Sequence, residues 1–161
     1  RRRSRCVAVL GAAALVAGGC GGGDDSAAGT SLTKAQFITR AAAVCRDVKK
    51  AHQPYAEQVD KLAPNVDLKR VAPLLQGTLA ESRKGLARLR ALTPPPADRA
   101  AIDAYYRAAE ALLEAHSRLA DAARTNDRAT GEKVAAAVGG LSDDERRLAT
   151  RYGLKDCDNV F

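Results

Sequence analysis

The side chains that most often carry protein chemistry are scarce in this sequence, and their spacing builds no metal or haem site. The chain has two histidines and no methionine. A di-metal site in a helical bundle needs a Glu and a His three residues apart on one helix face, twice. Glu114 and His116 are two residues apart, about 200° around a helix, and His52 has no such partner. Haem attachment needs two closely spaced cysteines before a histidine, which the sequence lacks. We therefore expect no cofactor and no metal.

Motifs for hydrolysis and phosphate binding are also missing. No serine lies between glycines on a sharp turn of the kind that exposes a nucleophile, and both histidines fall within long helical patterns. The glycine runs at residues 21–23 and 139–140 do not have the spacing of a phosphate-binding loop. The sequence therefore predicts that the protein is not an enzyme. His116 falls on an apolar stripe, and we interpret it as a core or boundary residue.

The N-terminus has the pattern of an export signal that ends at a cysteine. A basic cluster at residues 1–5 precedes a short uncharged apolar run, which is too short to span a bilayer, since that takes about 20 apolar residues. Small residues then lead to a cysteine, in the order Leu15-Val16-Ala17-Gly18-Gly19-Cys20. We interpret residues 1–19 as a signal peptide and Cys20 as a lipidation site. The alternative is an ordinary signal cut near Ala17, which leaves Cys20 as a free thiol in a secreted protein.

The segment after Cys20 has the composition of a flexible tether. Between residues 21 and 31 no apolar side chain is larger than alanine, and a stretch of this kind has a root-mean-square reach of roughly 17–20 Å. Without residues 1–19 the chain has 22 basic and 19 acidic side chains, whereas the whole sequence carries +7. Such a small excess gives no argument for nucleic acid binding. We assign residues 20–31 to the lipidated cysteine and tether, and residues 32–161 to one folded domain.

Two cysteines remain for the folded domain, Cys45 near its start and Cys157 near its end. Disulfides persist in the oxidising environment outside the cytoplasm, so we expect an exported chain to pair them. Such a bridge would close a loop of more than a hundred residues, for which chain-entropy arguments give a stabilisation of about 4.7 kcal/mol. The alternative is two buried free thiols.

Apolar residues recur every three or four positions in four segments, which predicts four helices. The first segment starts at a capping box formed by Thr33 and Gln36. In the second, Asp67 is a candidate cap, and Pro73 suggests that the regular part begins near Val71.

The third and fourth segments cover residues 102–123 and 134–152. A turn signal, Asn-Asp, follows the third segment. The fourth, whose apolar stripe includes the position of Glu145, is weaker, and Gly139-Gly140 interrupts it. Ser142 and Glu145 also have capping-box spacing, so this segment forms either one helix or two shorter ones. A glycine after residue 152 is a typical helix stop.

Segments of similar length with short connectors favour an antiparallel four-helix bundle, closed by one disulfide. Strand patterns are missing, so the expected fold class is all-α. Three prolines at residues 94–96 form a stiff connector. The runner-up is a three-helix bundle with a loose fourth segment.

The composition of the core bears on whether the bundle could hold a ligand. A core rich in alanine leaves little cavity, whereas a pocket of several hundred Å³ between helices would favour a ligand carrier.

The second helix has an excess of basic side chains. Within this segment only Asp67 and Glu81 face the basic residues Lys69, Arg70, Arg83, Lys84, Arg88 and Arg90. We define the basic strip as Arg83, Lys84 and Arg88 and predict that it binds anionic lipid headgroups or wall polymer. The alternative is a solvated face whose charge is neutralised by acidic residues of neighbouring helices.

The sequence as a whole resembles a known class of proteins. The lipobox ending at Cys20, the opening Leu32-Thr33-Lys34, the helical Cys45, the proline connector and the closing Tyr152-Gly153-Leu154-Lys155-Asp156-Cys157 are similar to those of small uncharacterised lipoproteins of high-GC Gram-positive (actinobacterial) bacteria. This resemblance also implies a Cys45–Cys157 bridge, and it implies no activity.

We therefore expect a membrane-anchored envelope lipoprotein on the outer face of the cell membrane. Its domain would be a non-catalytic interaction module whose partners are the membrane and an envelope protein or anionic wall polymer, with no nucleic acid. The alternative function is a carrier that binds a small apolar ligand within the bundle.

Overall fold

The computed structural model describes residues 31–62 and 67–161, and in these ranges the chain is helical without strands. The predicted signal peptide, Cys20 and residues 21–30 of the predicted tether lie outside the described residues. Four helices follow one another: α1 Lys34–Asp60, α2 Leu68–Arg90, α3 Arg99–Thr125 and α4 Arg128–Tyr152. Short 3₁₀ turns, Pro96–Asp98 and Lys155–Cys157, precede α3 and follow α4.

The starts of α1 and α2 test the helix caps that the sequence predicts. The predicted capping box is confirmed, because the Thr33 hydroxyl accepts from the Gln36 N–H at 3.3 Å and the Gln36 side chain accepts from the Thr33 N–H at 3.0 Å. Asp67 caps α2 by accepting a backbone N–H at 3.0 Å. The predicted start near Val71 is wrong, because α2 begins directly after Asp67. Pro73 lies in the second turn, where its missing N–H removes one hydrogen bond without stopping the helix.

The boundaries of α4 settle the question of its continuity. Asn126, with φ at 58°, ends α3 in the left-handed region, and the Asp127 side chain then caps α4. The helix continues through Gly139-Gly140 as one element, and Ser142 lies inside it instead of capping a second helix. Gly153 has a φ of 99°, which glycine adopts without strain, and it ends α4 as predicted.

Consecutive helices pack side by side in antiparallel order. Gly85 of α2 faces Val48 of α1, and Gly77, eight residues earlier in α2, faces Tyr55, seven residues later in α1. A Cβ at either glycine would overlap the facing side chain, so these glycines let the two helix axes approach closely. The contact between α3 and α4 is the most extensive of the bundle.

The C-terminal tail, residues 153–161, closes the bundle between its first and last helices. Its turn packs against both α1 and α4. The side chains of Leu154, Val160 and Phe161 are buried, and the Phe161 ring lies 6.5 Å from the ring of Tyr105 in α3. The predicted antiparallel four-helix bundle closed by a disulfide is therefore confirmed, and the fourth segment is packed where the runner-up had it loose.

Candidate functional site

The two remaining cysteines form the predicted bridge. The Cys45 and Cys157 sulfurs are bonded, with Cα atoms 5.1 Å apart and a sequence separation of 112 residues. Neither residue is exposed. The alternative of two free thiols is therefore wrong for this pair. The bridge joins the middle of α1 to the tail, and it fixes where the tail lies.

Two ion pairs supplement the bridge at the surface. Arg46 donates to Asp156 at 2.7 Å, and Lys49 contacts Asp158 at 3.3 Å. All four side chains are well exposed, and exposed pairs contribute little to stability. The disulfide and the apolar side chains, rather than these charges, hold the tail in place.

The basic strip lies on the exposed side of α2, but two of its three charges face carboxylates. Arg88 pairs with Asp47 of α1 at 2.7 Å, and Lys84 pairs with Glu81 at 2.7 Å. The hydrogen bond and the charge of Glu81 raise the pKa of Lys84. Arg83 contacts the Ser117 hydroxyl at 3.4 Å. Arg83 therefore reaches toward α3 and Arg88 toward α1, and acidic neighbours balance part of the charge of the strip.

A small cavity inside the bundle brings together polar groups that the sequence did not connect. It has a volume of about 160 Å³, and Asn159 and Phe161 of the tail line it together with His52, Ser82 and His116. The Ser82 hydroxyl lies 3.0 Å from His52 Nε2. His52 lies four residues after the buried Val48, which is a signal that it faces the core; no sequence signal pairs it with His116, because that depends on the register between α1 and α3.

Burial lowers the pKa of both imidazoles of this cavity. Loss of hydration lowers the pKa of His52, although the Thr78 carbonyl and Glu81 act in the opposite direction. Loss of hydration likewise lowers the pKa of His116, and a charge on His52 would lower it further.

The Ser82–His52 contact has the distance of a nucleophile and its base. However, Ser82 lies inside α2, where the neighbouring N–H groups bond within the helix and cannot stabilise an oxyanion. The pair can exchange hydrogen bonds with a small polar molecule.

An acidic side chain, Glu145, is buried near this cavity. Glu145 of α4 has no exposed surface, and neither of its oxygens nor the Tyr105 hydroxyl has a partner of normal geometry among the described residues. Loss of hydration raises the pKa of Glu145 to about 7, while the Tyr105 hydroxyl, the backbone N–H of Asn159 and Lys49 lower it and Asp158 raises it. The same burial, with Glu145 beside it, raises the pKa of Tyr105. The sequence placed Glu145 on an apolar stripe, and the structure puts it in the core.

An apolar groove lies at the end of the bundle away from Leu32. It has a volume of about 340 Å³ and is lined by residues of α2, α3 and α4, chiefly Leu68, Val71, Leu75, Leu119, Ala123 and Ala135. The groove is open to solvent along α4, where most of the first half is exposed. Its volume is in the range that we associated with a carrier, but an open groove covers less of a ligand than the 70–90% typical of ligand pockets.

No described helix is long and apolar enough to cross a membrane. Within residues 31–62 and 67–161, no three side chains of His, Cys, Asp or Glu are grouped so that they could hold a metal ion. Comparisons of the chain with models of protein families, with curated proteins and with solved structures gave no match.

Proposed function

We propose that this chain is an exported lipoprotein, anchored in the outer face of the cell membrane by acylated Cys20, whose helical domain is a non-catalytic interaction module of the envelope. The observation that carries this proposal is the buried Cys45–Cys157 disulfide. Structural disulfides persist outside the cytoplasm and are rare inside it. This supports the export signal independently of the lipobox residues.

The start of the folded domain fits an anchor at Cys20. The Leu32 N–H donates to the Thr93 carbonyl at 3.0 Å, and Leu32 follows Cys20 by 12 positions in the sequence. Two or more acyl chains on Cys20 would hold the protein at the bilayer, since each buried CH₂ contributes about 0.8 kcal/mol. The predicted tether would leave the domain room to reach partners close to the membrane.

Cys20→Ser tests the anchor, because it removes the thiol that accepts lipid and keeps the side chain small and polar. We expect the unchanged protein to pellet with membranes and to carry lipid mass on Cys20, and the variant to stay uncleaved or to appear in the medium. Cys6→Ser is the matched control, since it removes a cysteine of the predicted signal peptide and should leave anchoring unchanged. Unchanged protein recovered from the medium, with an amino terminus at Gly18 or later and no lipid, would contradict the proposal.

The basic strip supplies the candidate contact of the interaction module. Replacing Arg83, Lys84 and Arg88 with Gln should weaken binding to anionic wall polymer, and the binding of the unchanged protein should fall steeply between 0.05 and 0.5 M salt, because screening acts over about 10 Å at 0.1 M. The control replaces Arg118, Arg124 and Arg128, which lie toward the other end of the molecule. Equal binding by the strip variant would show that the basic strip is an ordinary solvated face without a role in binding.

A second candidate function, a carrier of a small apolar ligand, is favoured by the apolar groove. Ala135 is an exposed residue that lines this groove, whereas its exposed neighbour Ala136 does not. Ala135→Trp should fill the groove and abolish the fluorescence of a bound apolar probe, and Ala136→Trp should leave it unchanged. Absence of probe binding by the unchanged protein would eliminate this candidate.

A further inference from the structure

Positive charge is concentrated at one end of the bundle. This tether end is formed by the first two turns of α1 and α3 and the last two turns of α2 and α4, in which nine side chains are basic and only Asp103 is acidic. The two-turn segments at the opposite end have five basic and four acidic side chains. Acidic residues one turn away pair with several of these bases, among them Asp144 with Arg147 at 2.6 Å. The asymmetry between the two ends is nevertheless clear.

The chain enters the domain at this same end. Leu32 is hydrogen-bonded to Thr93, which belongs to the connector between α2 and α3. On the proposed function, a lipid on Cys20 would hold the bilayer within the reach of the predicted tether, roughly 17–20 Å on average. The basic end is therefore the end that the anchor brings nearest to lipid headgroups.

A groove at this end has the side chains that a phosphate requires. It has a volume of about 490 Å³, and its lining includes Arg90, Leu92, Pro94, Arg99, Asp103 and Arg107. We call it the arginine groove. Arg99, Asp103 and Arg107 follow one another at intervals of four along α3 and so share one face. Guanidinium groups bind phosphate oxygens through paired, charge-assisted hydrogen bonds.

Two of the three guanidinium groups have no acidic partner within the part of the chain that the structure describes. Arg90 pairs with Glu110 at 2.6 Å and lies over the Tyr106 ring, whereas Arg99 and Arg107 form no ion pair with any described residue. Three arginines against Asp103 and Glu110 leave one net positive charge. A phosphodiester carries one negative charge, and the Leu92 and Pro94 side chains offer an apolar rim beside it.

We propose that the arginine groove binds the phosphodiester headgroup of an anionic phospholipid, and that this contact turns the tether end of the domain toward the bilayer. The nearness of lipid rests on the proposed function, but the recognition chemistry rests on the groove alone. Each basic residue near an anionic bilayer strengthens binding appreciably. The groove would thus add a second, oriented attachment to the lipid anchor.

The test uses the mature chain from residue 20 with Cys20→Ser, so that no acyl chain contributes. Its sedimentation is measured at 0.1 M salt with vesicles of phosphatidylglycerol mixed into phosphatidylcholine, and with vesicles of phosphatidylcholine alone. We expect binding to the anionic vesicles only. Arg99→Gln with Arg107→Gln should weaken it about 30-fold. The control pair, Arg118→Gln with Arg124→Gln, changes the charge equally on the same helix at its other end, and should weaken binding less than threefold.

Several results would overturn this proposal. Equal weakening by the two pairs of substitutions would mean that net charge, not the groove, attracts the membrane. Equal binding to neutral vesicles would exclude recognition of an anionic headgroup. Complete displacement by 1 mM glycerophosphoglycerol, the headgroup without acyl chains, would assign the groove to a soluble phosphodiester instead of a lipid. Recovery of the unchanged protein from the medium without lipid in the Cys20 experiment would contradict the proposed function alone, since these vesicle measurements do not depend on acylation.

Discussion

Glu145 is a buried acidic side chain whose raised pKa makes the stability of the bundle depend on pH. Its carboxyl group lies in the core beside the Tyr105 hydroxyl, without a partner of normal geometry in the described ranges. A buried charge without compensation is costly, so the group stays protonated over a wider pH range than an exposed glutamate. Its pKa in the folded protein is about 7, against an ordinary value of 4.5. The folded chain therefore holds this proton more tightly than the unfolded chain.

Glu145→Gln should make the protein more stable at high pH and change little at low pH. With a folded pKa above the unfolded one, the contribution of Glu145 is most favourable below pH 4.5 and is lost as the pH rises to about 7. Gln keeps the shape without the charge, so the free energy of unfolding should rise by up to about 3 kcal/mol at pH 8. Urea unfolding of both proteins at pH 4 and pH 8 measures this difference.

The comparison between variant and unchanged protein also removes the effect of the histidines. His52 and His116 have lowered pKa values when folded, so their contribution is lost as the pH falls below 6.5, in the opposite direction to that of Glu145. Glu132→Gln, an exposed substitution in the same helix, is the control. An equal effect of Glu145→Gln at both pH values would show that its charge is not the cause.

At the scale of the helix, replacing a glycine with alanine should have opposite effects on stability in α2 and in α4. Gly85 faces the branched side chain of Val48 and lies near Phe161. At Gly139, by contrast, no described atom beyond the adjacent residues and the backbone of its own helix lies within 4 Å of the position that a Cβ would take. Gly85→Ala should lower the free energy of unfolding by about 1–3 kcal/mol through overpacking. Gly139→Ala should raise it by up to about 1 kcal/mol, because alanine is the better helix former. Thermal unfolding measures both, and stabilisation by Gly85→Ala would mean that Val48 moves aside freely.

The sequence predicted what depends on neighbours along the chain. The Thr33–Gln36 capping box, the turn before α4 and the Gly153 stop are local signals, and the structure confirms them. The predicted start of α2 near Val71 is wrong because the Asp67 cap, and not Pro73, sets where the helix begins. The pairing of His52 with Ser82 could not be predicted, because it depends on the register between helices, which no single helix pattern contains.

At the scale of the whole molecule, the tail decides how the bundle closes. The sequence indicated a bridge between Cys45 and Cys157 but not that the last residues would enter the core. Phe161 packs near Tyr105, and Asn159, Val160 and Phe161 of the tail form part of the wall of the small cavity. Apolar residues after a predicted helix end carry no periodic signal, so their burial emerges only when α1 and α4 are placed.

The bridge should therefore contribute to the stability of the entire bundle and not of the tail alone. Cys157→Ser opens a loop of 112 residues, and loss of a native disulfide from a small exported domain typically costs about 2–5 kcal/mol. We expect this reduction in the free energy of urea unfolding, and we expect the helices to be lost in a single transition when unfolding is monitored by circular dichroism.

Cys45→Ser, which breaks the same bond from the α1 side, should cause a similar loss of stability. In the unreduced, denatured protein neither cysteine should react with an alkylating reagent, and a mass increase at both would contradict the bridge. If the two serine variants unfold like the unchanged protein, the tail is held by Val160 and Phe161, and the disulfide only follows the fold that they create.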